Sequence, residues 1–312
     1  MISITSKYAF QCRIRIVHLF HYLERGALYM IEKIAWVTDT SAYLSDSFIE
    51  KWNIHVFSIS VIFEEGAFRE KVELTQSEFY EKMRNAKALP TTSQPLLGDM
   101  VDLYKQLKAK GYSCAIAVHP TSLLSGTYES SIAAAKQADF PIYAIDSKII
   151  SYPMQKMLET GLSLETQGVK AKDIAQVLED MTKRVELSGI PANLTQLYKG
   201  GRVPGIVALL GNLLKLKVIV SFQNGRVVLK DKVRTYKRAK EYVTELLRKE
   251  LRQSTITEVA IIHSNNDRNA EHWKTELQAE FPSIQFIIFP LSASISVHTG
   301  EGTTGLSWVR DR

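Results

Sequence analysis

The 312-residue chain carries 39 basic and 33 acidic side chains, a formal net charge of +6, and 45% hydrophobic residues. That is enough apolar material for two α/β domains or one large one, and too little charge outside the first 29 residues to indicate nucleic acid. Two cysteines give no disulfide framework and fit a reducing cytoplasm, and no apolar run reaches the roughly 18–20 residues of a membrane span.

Residues 1–29 set Lys7, Arg13, Arg15 and Arg25 against Glu24, half of the net charge. Their core, RIRIVHLFHYL, is too short and too interrupted for a signal peptide. It reads either as an amphipathic segment touching a membrane surface or as an extension upstream of a native start at Met30, just before the first strand. The second reading is adopted here, and an intact N-terminal peptide in mass spectrometry of the native protein would refute it. His18 and His21 have metal-like spacing but no further ligands nearby.

From Lys33 the chain alternates apolar strands with amphipathic helices, the pattern of an α/β protein. KIAWVTD is a buried strand, DSFIEKWN a short capped helix, and IHVFSISVIF a second strand. Helical spacing runs from Thr75 to Ala88 and from Leu96 to Lys110, with PTTSQP (90–95) as the loop between. CAIAVHP (114–120) and PIYAID (141–146) are strands separated by the helix YESSIAAAKQA. This spacing implies right-handed crossovers and a parallel sheet. Helices over 151–166 and 171–184 bring a junction near residue 170, so an N-terminal domain is expected over 30–170 and a C-terminal one over 171–312. In the second, ELSGIP is a short apolar stretch, LTQLYKGGRVPG a helix stop with a glycine-rich turn, and GIVALLGNLLKL an apolar helix. Asn224-Gly225 between two β-rich runs marks a tight hairpin, hence a mixed sheet. A charged helix (238–252), the strand TEVAIIHS, a further helix and the strand QFIIFPLS complete the series.

Four segments concentrate hydroxyls at strand or helix ends: TDTSAYLS (38–45), PTTSQP, HPTSLLSGTYES (119–130) and HTGEGTTG (298–305). One such loop is ordinarily a helix cap. Several together offer neutral donors and helix N-termini to an anion, in a chain with no Walker sequence. Gly300, Gly302 and Gly305 satisfy G-x-G-x-x-G, but too few residues follow for a βαβ unit, which excludes a dinucleotide reading. A hydrolytic triad of Ser125, His298 and Asp39 or Asp146 is the alternative from another class, although no G-x-S-x-G elbow is present. The basic run 226–240 is a solvated strand face or a partner-docking surface. Its only aromatic, Tyr236, argues against nucleic acid.

VTDTSAYLS, PTTSQP, the Ser-Gly-Thr-Tyr of SLLSGTYES, LYKGGRVPG and HTGEGTTG occur in that order. Together they resemble the motifs of the DegV family, bacterial fatty-acid-binding proteins that include the lipid-binding subunits of fatty acid kinase. The resemblance spans residues 33–309. It implies a two-domain α/β fold, a parallel N-terminal and a mixed-sheet C-terminal domain, with a long-chain fatty acid as ligand and no cofactor or metal. It implies that the chain is not itself an enzyme. Thr92, Ser125 and His298 are the implied head-group ligands, with Ser93 and Ser122 as second choices. An ATP-dependent kinase subunit is the implied partner, met through Arg202, and delivery of the acyl phosphate to phospholipid synthesis is compatible with transient membrane-surface contact. The expected division of labour is that Ser125→Ala and His298→Ala lose lipid whereas Arg202→Ala keeps it. Two positions depart from the family pattern: Leu123 stands where glycine is usual, and Glu301 where proline is. A carboxylate at 301 pointing into the site would oppose an acidic ligand.

Overall fold

The computed structural model describes residues 32–203 and 216–311. The apolar helix expected over 205–216 lies almost wholly outside the described residues, as do the 1–29 extension, Met30 and the His18/His21 pair. In chain order, β1 (Ile34–Asp39) runs through a single 3-10 turn into α1 (Asp46–Trp52), β2 (Ile54–Phe57), β3 (Ser60–Phe63) and β4 (Gly66–Arg69). Then come α2 (Gln76–Asn85), β5 (Thr91–Ser93), α3 (Leu97–Ala109), β6 (Cys114–His119), α4 (Thr127–Gln137) and β7 (Ile142–Asp146). Helices α5 (Tyr152–Thr166) and α6 (Ala171–Met181) lead to β8 (Val185–Ile190), α7 (Leu194–Lys199), β9 (Lys217–Gln223) and β10 (Arg226–Val233). The rest is α8 (Tyr236–Leu251), β11 (Glu258–His263), α9 (Asp267–Glu280), β12 (Gln285–Pro290), α10 (Ala293–Thr299) and β13 (Thr304–Val309).

Among the described residues the strands form three sheets. The first is parallel, in the order β2-β1-β6-β7. Every residue of β1 and β6 is buried, as expected of inner parallel strands covered by helices on both faces. One face packs on Met154, Met157, Leu158, Ile174 and Leu178, the other on Met100, Tyr104 and Leu107. The second sheet is mixed, in the order β10-β9-β8-β13-β11-β12, with β11 and β12 its parallel pair. Its β9–β10 hairpin turns at Asn224-Gly225 as expected, both residues at positive φ. Among the described residues no helix is long and apolar enough to cross a membrane.

The third sheet, β4-β3-β5, was not read from the sequence, and it corrects two expectations. IHVFSISVIF is two strands, because the chain leaves the parallel sheet after Phe57. The Ile59 amide donates to the Thr40 hydroxyl at 3.2 Å rather than to a sheet neighbour. PTTSQP is more than a loop: Thr91–Ser93 pair antiparallel with β3, Thr92 opposite Val61. The C-terminal end differs as well. The series read from the sequence closes at QFIIFPLS, whereas a further helix and strand follow it: HTGEGTTG joins α10 to β13, a central strand held between β8 and β11.

Candidate functional site

Helix α10 begins at Ser292, whose hydroxyl accepts from the Ile295 amide, and its last turn carries His298. The three-stranded sheet brings Thr92 alongside. Thr92 Oγ1 and His298 Nε2 share a 2.9 Å hydrogen bond between residues 206 positions apart. Glu70, just after β4, ties the two together: its buried carboxylate accepts from the amides of Ala293 at 2.5 Å and Ser294 at 3.4 Å. Burial pushes the Glu70 carboxyl up to about 7 despite those bonds.

Thr92 and His298 stand in the wall of a cavity of ≈ 190 Å³. A single buried water needs only about 10–15 Å³ on this measure, so the space suits a ligand rather than one structural water. Ser93, Ser125 and Arg202 line the same cavity. The remaining wall is largely apolar, including Ile150, Leu187, Val220, Phe222, Ile262 and Ile295. The first turns of α4 meet the strand at Thr91–Ser93 through Gln94, whose amide donates to Ser130 Oγ at 2.6 Å. Gly126 lies against the same side chain: a Cβ there would come within 2.0 Å of Gln94 Oε1, a contact the flexible glutamine relieves by turning aside.

The electrostatics of this end are specific. Burial drives the His298 imidazole down to about 4, and the Arg202 guanidinium adds to the effect, so the ring is neutral near pH 7. Arg202, which donates to the Gly200 carbonyl at 2.6 Å, is therefore the cation of the site. The sequence had assigned it to a partner surface, and the structure places it in the cavity wall. Among the described lining residues, neutral hydroxyls, a neutral imidazole and one guanidinium make an environment chemically complementary to an anion.

Ser122 does not join them. Its hydroxyl donates to Asp146 Oδ2 at 2.5 Å, beside Lys148, and it is absent from the cavity lining. The strand-end carboxylate captures it because β7 ends next to that turn. Four lining hydroxyls went unassigned in the sequence, Ser41, Ser294, Thr299 and Thr303. Ser41, Thr299 and Thr303 lay in hydroxyl-rich segments already noted, and Ser294 belongs to the alternating serines of SASIS.

The model of the family described as "Uncharacterised protein, DegV family" matches residues 33–311. The chain belongs to the DegV family. Protein DegV of Bacillus subtilis is 35% identical over 277 residues, covering 88% of this chain and 98% of its own. A DegV domain-containing protein of Halalkalibacterium halodurans is 34% identical, with 88% and 98% covered. Among solved structures, Bacillus subtilis DegV, described as a fatty acid binding protein, matches with a TM-score of 0.82 at 35% identity over 90% of this chain and 100% of that one. A fatty acid binding DegV family protein of Streptococcus agalactiae matches with 0.83 at 28%, covering 90% and 100%.

The two departures of this DegV chain lie off the cavity lining. Leu123 is 47% exposed and neighbours the β9–β10 turn, where Thr121 Oγ1 donates to the Gly225 carbonyl at 2.9 Å. Glu301 is held by Arg84, at 2.9 Å from Nε and 2.8 Å from Nη2, and by Asn265 at 2.6 Å. Its charge is thus neutralised locally. The triad geometry is not formed: Ser125 Oγ bonds Thr127 Oγ1 at 2.8 Å, while His298 bonds Thr92. Asp39 is engaged by Ser41 and His119, and Asp146 by Ser122 and Lys148. Among the described residues no group of His, Cys, Asp and Glu is arranged to hold a metal.

Proposed function

We propose that this chain binds a long-chain fatty acid, its carboxylate at the Thr92–His298 end of the cavity and its acyl chain along the apolar walls. Ser93, Ser125 and Arg202 complete the head-group site. The chain acts as a carrier rather than an enzyme and presents the carboxylate to an ATP-dependent kinase subunit for acyl-phosphate formation. The observation that carries the reading is the polar group itself, neutral donors plus one cation in the wall of a largely apolar cavity, in a relative of proteins described as fatty acid binding.

The energetics are consistent with it. Each buried methylene contributes about 0.8 kcal/mol, so a chain of ~16 carbons gains on the order of 10 kcal/mol before ordering costs. The head group then mainly sets orientation. A carboxylate that must still accept a phosphoryl group suits hydroxyls and a single guanidinium better than a paired arginine clamp.

Native mass spectrometry of the protein purified from a bacterial host tests the reading. The expected result is a retained fatty acid in the wild type and much less in Thr92→Ala and His298→Ala. Wild-type protein without bound lipid, and unable to take it up, overturns the proposal. Labelling of Ser125 by a serine-directed phosphonate would favour the hydrolase instead.

A further inference from the structure

The floor of the cavity is the mixed sheet, and its register sets four residues in one row. Val220 of β9 stands opposite Gly189 of β8, Gly189 opposite Gly305 of β13, and Gly305 opposite Ile262 of β11. Residues directly opposite on neighbouring strands project from the same face. The face is the cavity's, since Val220, Gly189 and Ile262 all line it. Two side-chain-free positions side by side therefore leave a depression between a valine and an isoleucine.

The two glycines are there for different reasons. A Cβ at Gly305 would lie 2.4 Å from the Ser188 carbonyl oxygen and 2.8 Å from the Gly189 Cα, so close approach of the strands demands glycine. Nothing of the kind holds at Gly189. Its φ is not among the positive ones. A Cβ there would meet nothing nearer than the Thr304 carbonyl oxygen at 3.9 Å and Leu187 Cδ2 at 4.0 Å, ordinary van der Waals contact. Glycine inside a strand sacrifices chain entropy and side-chain packing, and at this position the surrounding structure asks for neither loss. The remaining consequence of a side chain at 189 is to fill the cavity.

We propose that Gly189 is a specificity-determining residue: it sets the cross-section of the acyl channel by leaving a depression in the sheet floor for the chain of the ligand. The inference rests on the fatty-acid reading above and adds to it the path of the hydrocarbon and the residue that limits it.

The test uses full-length delipidated protein, palmitate as the probe, and two substitutions, Gly189→Ala and Gly189→Val. Each is measured for palmitate Kd and for the melting midpoint of the ligand-free protein. Valine adds three carbons to the channel and alanine one, so Kd is expected to rise about 50-fold for valine and about fourfold for alanine. The ligand-free midpoint is expected to stay level or rise by about 1–3 °C, because a strand residue replaces glycine and fills space. Affinity and stability moving in opposite directions is the signature of a channel-limiting position. A merely structural glycine would lower both, and that result overturns the proposal. Palmitate binding within twofold of wild type in both variants also overturns it and leaves the fatty-acid reading standing. If the valine variant fails to fold, the alanine variant decides by the same pair of measurements. Wild-type protein that binds no palmitate ends the fatty-acid reading, and this inference with it.

Discussion

Two histidines, His119 buried and His298 half-buried, occupy polar clusters that share residue types but differ in their partners. His119, at the end of β6, directs Nδ1 at Asp39 Oδ2 across 3.3 Å, and Asp39 also accepts from Ser41 Oγ at 2.5 Å. Both members of that pair are fully buried. The cluster contains its own carboxylate. His298 has Thr92 as its hydrogen-bond partner and Arg202 nearby as a positive charge. Among the described residues, the partners of Thr92, Ser125, Arg202 and His298 include no carboxylate. The first cluster has its acidic partner within the fold, although the buried His119 Nε2 finds no hydrogen-bond partner among the described residues. The second is complementary to an acidic group brought from outside, the role proposed for the fatty acid.

The sharpest way to break this contrast is His119→Ala. Removing the imidazole from a buried carboxylate is expected to cost about 3 kcal/mol of stability, while palmitate affinity of the folded protein stays within about twofold. A large loss of affinity without loss of stability would reverse the roles of the two clusters. Next in size is Arg202→Ala, which removes the cation of the site and is expected to weaken palmitate binding about 30-fold. This replaces the expectation drawn from sequence that retention survives the change. In NMR titration the His298 imidazole should also move up from about 4, while staying below its ordinary value because burial remains.

Thr92→Ala and His298→Ala sharpen the same comparison. Each is expected to weaken binding about fivefold, through loss of one hydrogen bond of roughly 1 kcal/mol. Because the two side chains contact each other, the double variant should lose less than the product of the single effects. Independent effects in a double-mutant cycle would mean that they do not act on one head group. The smallest effect concerns the clasp beneath them. With its carboxyl raised from 4.5 to about 7, Glu70 adds stability that is full below pH 4.5 and is lost as pH rises through 7. Glu70→Gln lacks that dependence, so its melting midpoint relative to wild type should climb between pH 5 and pH 8. A difference that is flat or falls over that interval would refute the assignment. His298 acts with the opposite sign, costing stability as pH falls from 6.5 toward 4.

What the sequence determined by itself was local. Alternating apolar strands and amphipathic helices specified the parallel sheet, Asn224-Gly225 specified the hairpin, and Thr75 specified the start of α2 through its reciprocal bonds with Glu78. Such features depend on periodicity and on side chains reaching their own backbone a few residues away. The family resemblance carried by the ordered motifs also pointed to Thr92, Ser93, Ser125 and His298, and these four line the cavity. Tertiary structure alone decided which of the hydroxyls face the cavity. Ser122 carries the same chemistry as Ser125 and was captured by Asp146 because β7 ends beside it. Arg202 became a wall residue because α7 packs against α10, and Gly189 became part of the cavity floor through its register with Val220 and Gly305. Those outcomes depend on which strands pair and in what register, and contacts between residues from 24 to more than a hundred positions apart leave no periodic mark in either segment.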